Sequence, residues 1–181
     1  MDVKLYDEVN VVSREEWGAV VPTGSKKLKL PAPNVIFTYC THRKKKEWPL
    51  CMDHEECCRT LRDMQEYYMK EELMRDLPYN FIVGGDGTIY EGRGWYVKPA
   101  KNENWKELYG RSVEIAYMGD HHERRPNKKM WRAAWDFVVM SVDTMHIENF
   151  YEFIENYDEA KLDAIQAKKP WYKQFYHFKG V

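Results

Sequence analysis

Four cysteines and six histidines are the side chains with which this 181-residue chain could do thiol or metal chemistry, and their spacing separates the two. Cys40, Cys51, Cys57 and Cys58 fall in one short stretch with no histidine at the intervals of a structural zinc site. An even, clustered set of this kind points to disulfides and an oxidising compartment, the alternative being reduced thiols buried in a core. His121 and His122 are neighbours, and neighbours on an extended chain point to opposite sides. His42 and His54 flank the basic run Arg43–Lys46, which repels a cation. The expectation is no metal site and no cofactor.

The charge balance, 28 Lys and Arg against 29 Asp and Glu, leaves no global positive field, so nucleic acid and acidic lipid are not expected partners. There is no apolar run near twenty residues, and hence no expected membrane span. Met1–Asn10 lacks the apolar centre of a signal peptide. Together with the cysteines, this leads to the expectation of a secreted protein in mature form, its leader absent and a start Met added. A chain of this length is expected to form a single domain over residues 1–181.

The elements that must position any site read as follows. Asn34–Cys40 (NVIFTYC) is β-branched and aromatic without alternation, which predicts a central strand buried on both faces. Asp53 and Glu56 make a capping box ahead of Cys57, Leu61, Met64 and Tyr68, the stripe of an amphipathic helix. Asn80–Val83 and Thr88–Glu91 flank Gly84–Gly87 (GGDG) as a hairpin, and Ser112–Met118 reads as another strand. Pro126 and Asn127 open a second helix with Trp131, Ala134, Val138, Val142 and Met145 as its apolar stripe. The residues after it have weak patterning. This alternation predicts an α/β chain of the α+β type, a single central mixed sheet flanked by helices.

Several segments carry a resemblance. Val12–Ala19 (VSREEWGA), Met64–Met69 (MQEYYM), Leu77–Phe81 (LPYNF) and above all Gly84–Trp95 (GGDGTIYEGRGW) resemble, in order and spacing, the peptidoglycan recognition proteins, relatives of N-acetylmuramoyl-L-alanine amidases. The similarity is strongest over residues 12–145, and the tail 146–181 diverges. It implies an amidase-like fold with a groove that in relatives holds muramyl peptides. It also implies a short disulfide between Cys51 and Cys57, with Cys40 and Cys58 either paired or free.

Hydrolysis of an amide by zinc needs three protein ligands and an open position for water. Active relatives use two His and one Cys. By the resemblance those positions fall at Thr38, Asn156 and Ala164 (or Ile165, one residue later), none of which offers an imidazole or thiolate. No cysteine follows Cys58, and His177 is the one histidine beyond His146, so a C-terminal His-and-Cys pair cannot exist at any register. Tyr79 keeps the position of a tyrosine that assists the zinc-bound water, and its structural reading is an aromatic whose hydroxyl lines a groove. The resemblance also names Tyr39, Trp95, Tyr96, Val97 and Lys101 as candidate groove residues; Tyr96 and Val97 stand where relatives discriminate stem-peptide types, and Lys101 replaces an imidazole.

The expected function is therefore a non-enzymatic, secreted pattern-recognition protein of innate immunity, its partner a cell-wall muramyl peptide or another protein. The alternative is a protein-interaction module that no longer binds peptidoglycan, favoured by the basic stretches His42–Trp48 and Lys168–Lys173. A third reading is an amidase with relocated catalysis.

Overall fold

The computed structural model describes residues 9–40, 48–100, 110–119 and 125–155, the last six of them by backbone alone. Eight elements follow along the described chain: β1 (Val11–Val12), β2 (Ala32–Tyr39), α1 (His54–Lys70), β3 (Phe81–Val83), β4 (Ile89–Glu91), β5 (Ser112–Tyr117), α2 (Lys128–Asp143) and β6 (Ile147–Glu155). The strands make one mixed sheet in the order β1-β4-β3-β5-β2-β6, with β3 and β4 antiparallel and the other neighbours parallel. This is the expected α/β architecture.

Parallel pairing requires cover on both faces, and the two helices supply it. Cys57, Leu61, Met64 and Tyr68 of α1 pack with Cys40, Ile82, Ala116 and Met118 on one face. Met130, Ala134, Phe137 and Val138 of α2 pack with Val35, Phe37, Phe81, Val113, Ile115 and Tyr117 on the other. The predicted strand Asn34–Cys40 appears as β2, buried on both faces and lying between β5 and β6, one place from the sheet edge.

That placement depends on β6, which the weak patterning of the tail did not reveal. From Ala32 to Asn34, β2 advances two residues while its partners on β6 advance five, from Ile147 to Glu152. A shift by an odd number of residues exchanges the faces of the strand, and so erases the period-2 signal.

Both helices start as their caps dictate. Asp53 accepts a hydrogen bond from the Glu56 amide at 2.9 Å, and Glu56 reaches back to the Met52 amide at 2.9 Å, one residue earlier than an ideal capping box. Asn127 accepts from the Met130 amide at 3.1 Å. The buried stripe of α2 is Met130, Ala134, Phe137, Val138 and Ser141. The expected stripe is corrected at its ends: Trp131 and Val142 are only half-buried, and Met145 lies beyond the cap at Thr144 with φ 60° and is 74% exposed.

The VSREEWGA segment is structural. Ser13 and Glu16 cap one another, with Ser13 N to Glu16 Oε2 at 2.7 Å and Glu16 N to Ser13 Oγ at 3.3 Å. Trp17, fully buried, donates to the Glu91 carbonyl at 2.8 Å. Arg14 pairs with buried Asp76 at 3.0 Å, and Gln65 of α1 donates to the same carboxylate at 2.7 Å. The N-terminal segment is thus locked to α1 and to the hairpin.

In the GGDG turn, Gly87 has φ 87°, in the left-handed region that glycine tolerates. Gly85 is required by proximity, since a Cβ there would stand 2.3 Å from the Cys51 carbonyl oxygen. The turn therefore seats the Cys51–Cys57 disulfide, which closes the predicted short loop with a Cα separation of 5.0 Å. Cys40 and Cys58 are both buried and carry free thiols, which resolves the alternative left open for them.

Candidate functional site

On a strand, alternate residues face opposite sides. Ala116 and Met118 face α1, so Glu114, of the same parity, shares that face, whereas Val113, Ile115 and Tyr117 face α2. On β2, Cys40 joins the α1 side, and Thr38 shares its parity. In register, Thr38 lies opposite Ala116 and Ile36 opposite Glu114, so Thr38 and Glu114 are diagonal neighbours on one sheet face. This face, beside the C-terminal half of α1, is the candidate groove.

Tyr79 enters it from the segment before β3. Its hydroxyl donates to the Tyr39 carbonyl at 3.2 Å and lies 3.4 Å from the Tyr68 hydroxyl, with the two rings edge to face at 6.4 Å. Burial pushes the Tyr79 phenol well above its ordinary value, the Tyr68 and Cys40 groups adding to the effect. Burial likewise raises Tyr68 to about 12 and the Cys40 thiol well above the usual range. These three groups are neutral at physiological pH.

Glu114 is the charged residue type the sequence reading passed over. It is 4% exposed, on the strand face that it shares with Thr38. Burial lifts that carboxyl to about 8, while the Arg93 guanidinium pulls it back. The signal available in the sequence was a lone acid inside the apolar run Val113–Met118.

A second overlooked residue, Asn80, ties the groove to the loop after β4. Its side-chain oxygen accepts from the Glu114 amide at 2.9 Å, and its NH2 donates to the Gly94 and Val97 carbonyls, both at 2.7 Å. Arg93 strengthens the same junction by donating to the Leu77 and Lys98 carbonyls.

The candidate residues divide between the two faces. Tyr79 and Thr38 share the α1 face. The Tyr39 ring packs on the α2 side against Tyr117 at 6.3 Å and contributes only its carbonyl to the groove. Trp95 also lies on the α2 side, stacked on Phe137 at 5.3 Å and on His146 at 4.5 Å. Tyr96 is 65% exposed, and Val97 bridges to Lys27. Lys101, Asn156 and Ala164 lie outside the described residues.

At the β2 position the chain presents a neutral hydroxyl, Thr38, and among the described residues no group of three or more His, Cys, Asp or Glu side chains is placed to hold a metal.

The fold is a six-stranded mixed sheet covered by a helix on each face. Consistently, the N-acetylmuramoyl-L-alanine amidase family model matches residues 35–168. The chain belongs to the peptidoglycan recognition protein family. It is 34% identical over 143 residues to rat peptidoglycan recognition protein 1, covering 78% of this chain and 73% of the relative. Wild-type Drosophila PGRP-LB superposes with a TM-score of 0.74 at 29% identity, over 90% of this chain and 95% of that one. Human PGRP-IBETAC, solved in complex with glycosamyl muramyl pentapeptide, gives 0.72 at 27% identity, over 81% and 83%.

Proposed function

We propose that this chain binds muramyl peptides of the bacterial cell wall in the groove beside α1 without hydrolysing them, as a secreted recognition protein of innate immunity. The observation that carries this reading is the pairing of a kept frame with an altered centre. Asn80, Arg93 and Tyr79 hold the loop and the sheet face of the family's fold together, while Thr38 stands where a ligating imidazole would be needed. Human PGRP-IBETAC, with the same fold, carries a muramyl pentapeptide in its solved structure. The Cys51–Cys57 disulfide supports an oxidising, extracellular setting. Among the described residues no helix is long and apolar enough to cross a membrane.

The test is calorimetry with muramyl pentapeptides of both stem types, together with an assay for amide cleavage in added zinc. Saturable heat without cleavage supports the proposal. Cleavage, or no heat and no retention on insoluble peptidoglycan, overturns it.

One observation favours a protein-interaction module instead. Val21 and Leu73 are each 85% exposed, on segments joined by the hydrogen bond from the Thr23 amide to the Arg75 carbonyl at 3.0 Å. Exposed apolar side chains in proximity suit a protein contact. This reading gains if muramyl peptides give no heat.

A further inference from the structure

Ahead of β2 the chain carries a basic run that the groove beside α1 does not use. Lys26, Lys27 and Lys29 are exposed, whereas Leu28 between them is 1% exposed and packs among the residues that face α2. The loop after β4 holds this run in place. Lys27 pairs antiparallel with Val97, the Leu28 amide donates to the Tyr96 carbonyl at 2.8 Å, and the Lys98 amide donates to the Lys26 carbonyl at 2.8 Å. The resulting ribbon sets Lys26 opposite Lys98 and Leu28 opposite Tyr96. Arg75 extends the strip, its guanidinium packed against Gly24, where a Cβ would stand 3.2 Å from Nη1. Residues 20–30 and 92–100 contain no acid, so positive charge is concentrated here in a chain whose net charge is -1.

We propose that this ribbon binds a linear acidic glycan, a polysaccharide with repeated sulfate or carboxylate groups, through Lys26, Lys27, Lys29 and Lys98. Like charges set across a ribbon repel one another, and a bound polyanion relieves that repulsion. A small anion meets two of the ammoniums at most, whereas a chain of repeated charges meets them all. Tyr96, 65% exposed on the same ribbon, offers a ring face for the apolar side of a sugar. Nucleic acid fits less well. Single strands are held by successive stacked rings, and Trp95, the neighbour of Tyr96, is stacked on Phe137 instead. A duplex presents a phosphate field wider than this strip, which a chain of net charge -1 opposes elsewhere on its surface. The Cys51–Cys57 disulfide fits an oxidising compartment, where the polyanions met are glycans. The site is independent of whether muramyl peptides bind beside α1.

The experiment is calorimetry of the full chain with a heparin oligosaccharide, a hyaluronate oligosaccharide of equal length, neutral dextran and a short DNA duplex, over a series of salt concentrations. The variants are the triple Lys26→Gln, Lys27→Gln, Lys29→Gln and, as a charge control, the double Lys128→Gln, Lys129→Gln at the exposed start of α2. Thermal melts establish that each is folded. Wild type should bind heparin saturably, more weakly as salt rises, and should give no heat with dextran. The triple variant should bind heparin about tenfold or more weakly, with a log–log salt slope smaller by roughly two to three. The control should bind as wild type does. Binding of both acidic glycans assigns the site to repeated charge of either kind, and binding of heparin alone assigns it to sulfate; each supports the proposal. No heparin binding, equal loss in the triple variant and the control, or duplex DNA bound as tightly as heparin overturns it.

Discussion

The Asn80 side chain and the Glu114 backbone form the joint of the candidate groove: Asn80 Oδ1 accepts the Glu114 amide at 2.9 Å from within a fully buried site. The same amide group grips two carbonyls of the loop that carries Trp95, Tyr96 and Val97. Asn80→Leu would leave the Glu114 amide and both carbonyls without these partners. Each unmet buried group costs about 1–3 kcal/mol, so a loss of roughly 3 kcal/mol is expected in urea unfolding. Asn80→Asp should be no better, because a carboxylate would face two carbonyl oxygens. Wild-type stability in Asn80→Leu would show that the loop is held by other contacts.

Arg14 and Asp76 make a second joint, between the N-terminal segment and the stretch that follows α1. Asp76 is buried, and Gln65 and the Leu77 amide also bond to it. Arg14→Ala leaves that carboxylate short of its counter-charge, and a cost of about 3 kcal/mol is expected, as for other broken buried pairs. Asp76→Asn in the Arg14→Ala background should recover part of the loss, since a neutral amide needs no counter-charge. Equal stability of the single and double variants would count against this account.

The disulfide gives a chemical count as well as an energy. Denatured, unreduced protein should show two titratable thiols, Cys40 and Cys58, and reduced protein four. In the native state both thiols should react slowly with iodoacetamide, since burial raises each above its ordinary range. Cys51→Ser with Cys57→Ser should cost roughly 2–3 kcal/mol, the chain-entropy value for so short a loop. A count of four before reduction would remove the disulfide from the account.

The two helices, the β3–β4 hairpin and the doubly buried β2 were legible because each has a local signal: a cap, a stripe, glycines, or an unbroken apolar run. The three-residue slip in the pairing of β2 with β6 hid the last strand, since register is fixed by the partner and not by the strand itself. Parity on β2 separates Tyr39 from Thr38, so the opposite faces of these two were legible in principle. Glu114 was not. A single acid in a strand reads as a solvated position, and it becomes a buried one only because β2 and β3 flank β5 and both faces are covered.

That burial makes stability depend on pH. The Glu114 carboxyl titrates near 8 in the folded chain and near its ordinary value of 4.5 when unfolded. Below 4.5 both states are protonated and the contribution is fully present. As pH rises toward 8 the unfolded chain ionises first, the folded chain binds the extra proton, and stability falls; above 8 the loss is complete. Glu114→Gln removes the transition, so its advantage over wild type should grow from pH 5 to pH 8 by an amount on the order of several kcal/mol. Parallel stability curves for the two proteins would show that the carboxyl is already ionised in the folded state.

Restoring one imidazole should not restore an amidase. Thr38→His places a potential ligand on β2, yet a catalytic zinc needs three protein ligands, and after Cys58 the chain offers no thiol at all. A lone histidine beside the Tyr79 hydroxyl and the Glu114 carboxyl supplies at most a weak, two-point site, because Tyr79 is already bonded to Tyr39 and Glu114 holds its proton at neutral pH. The expected outcome is zinc affinity no tighter than that of an isolated imidazole–carboxyl pair and no amide cleavage. The larger ring in a closely packed position should also destabilise the fold by about 1–3 kcal/mol. Competition against a zinc-binding dye and release of stem peptide from peptidoglycan measure the two terms separately. Tight zinc with turnover in Thr38→His would mean that residues of the C-terminal segment complete the metal site by a donor set other than His and Cys, and that the groove has kept its chemistry.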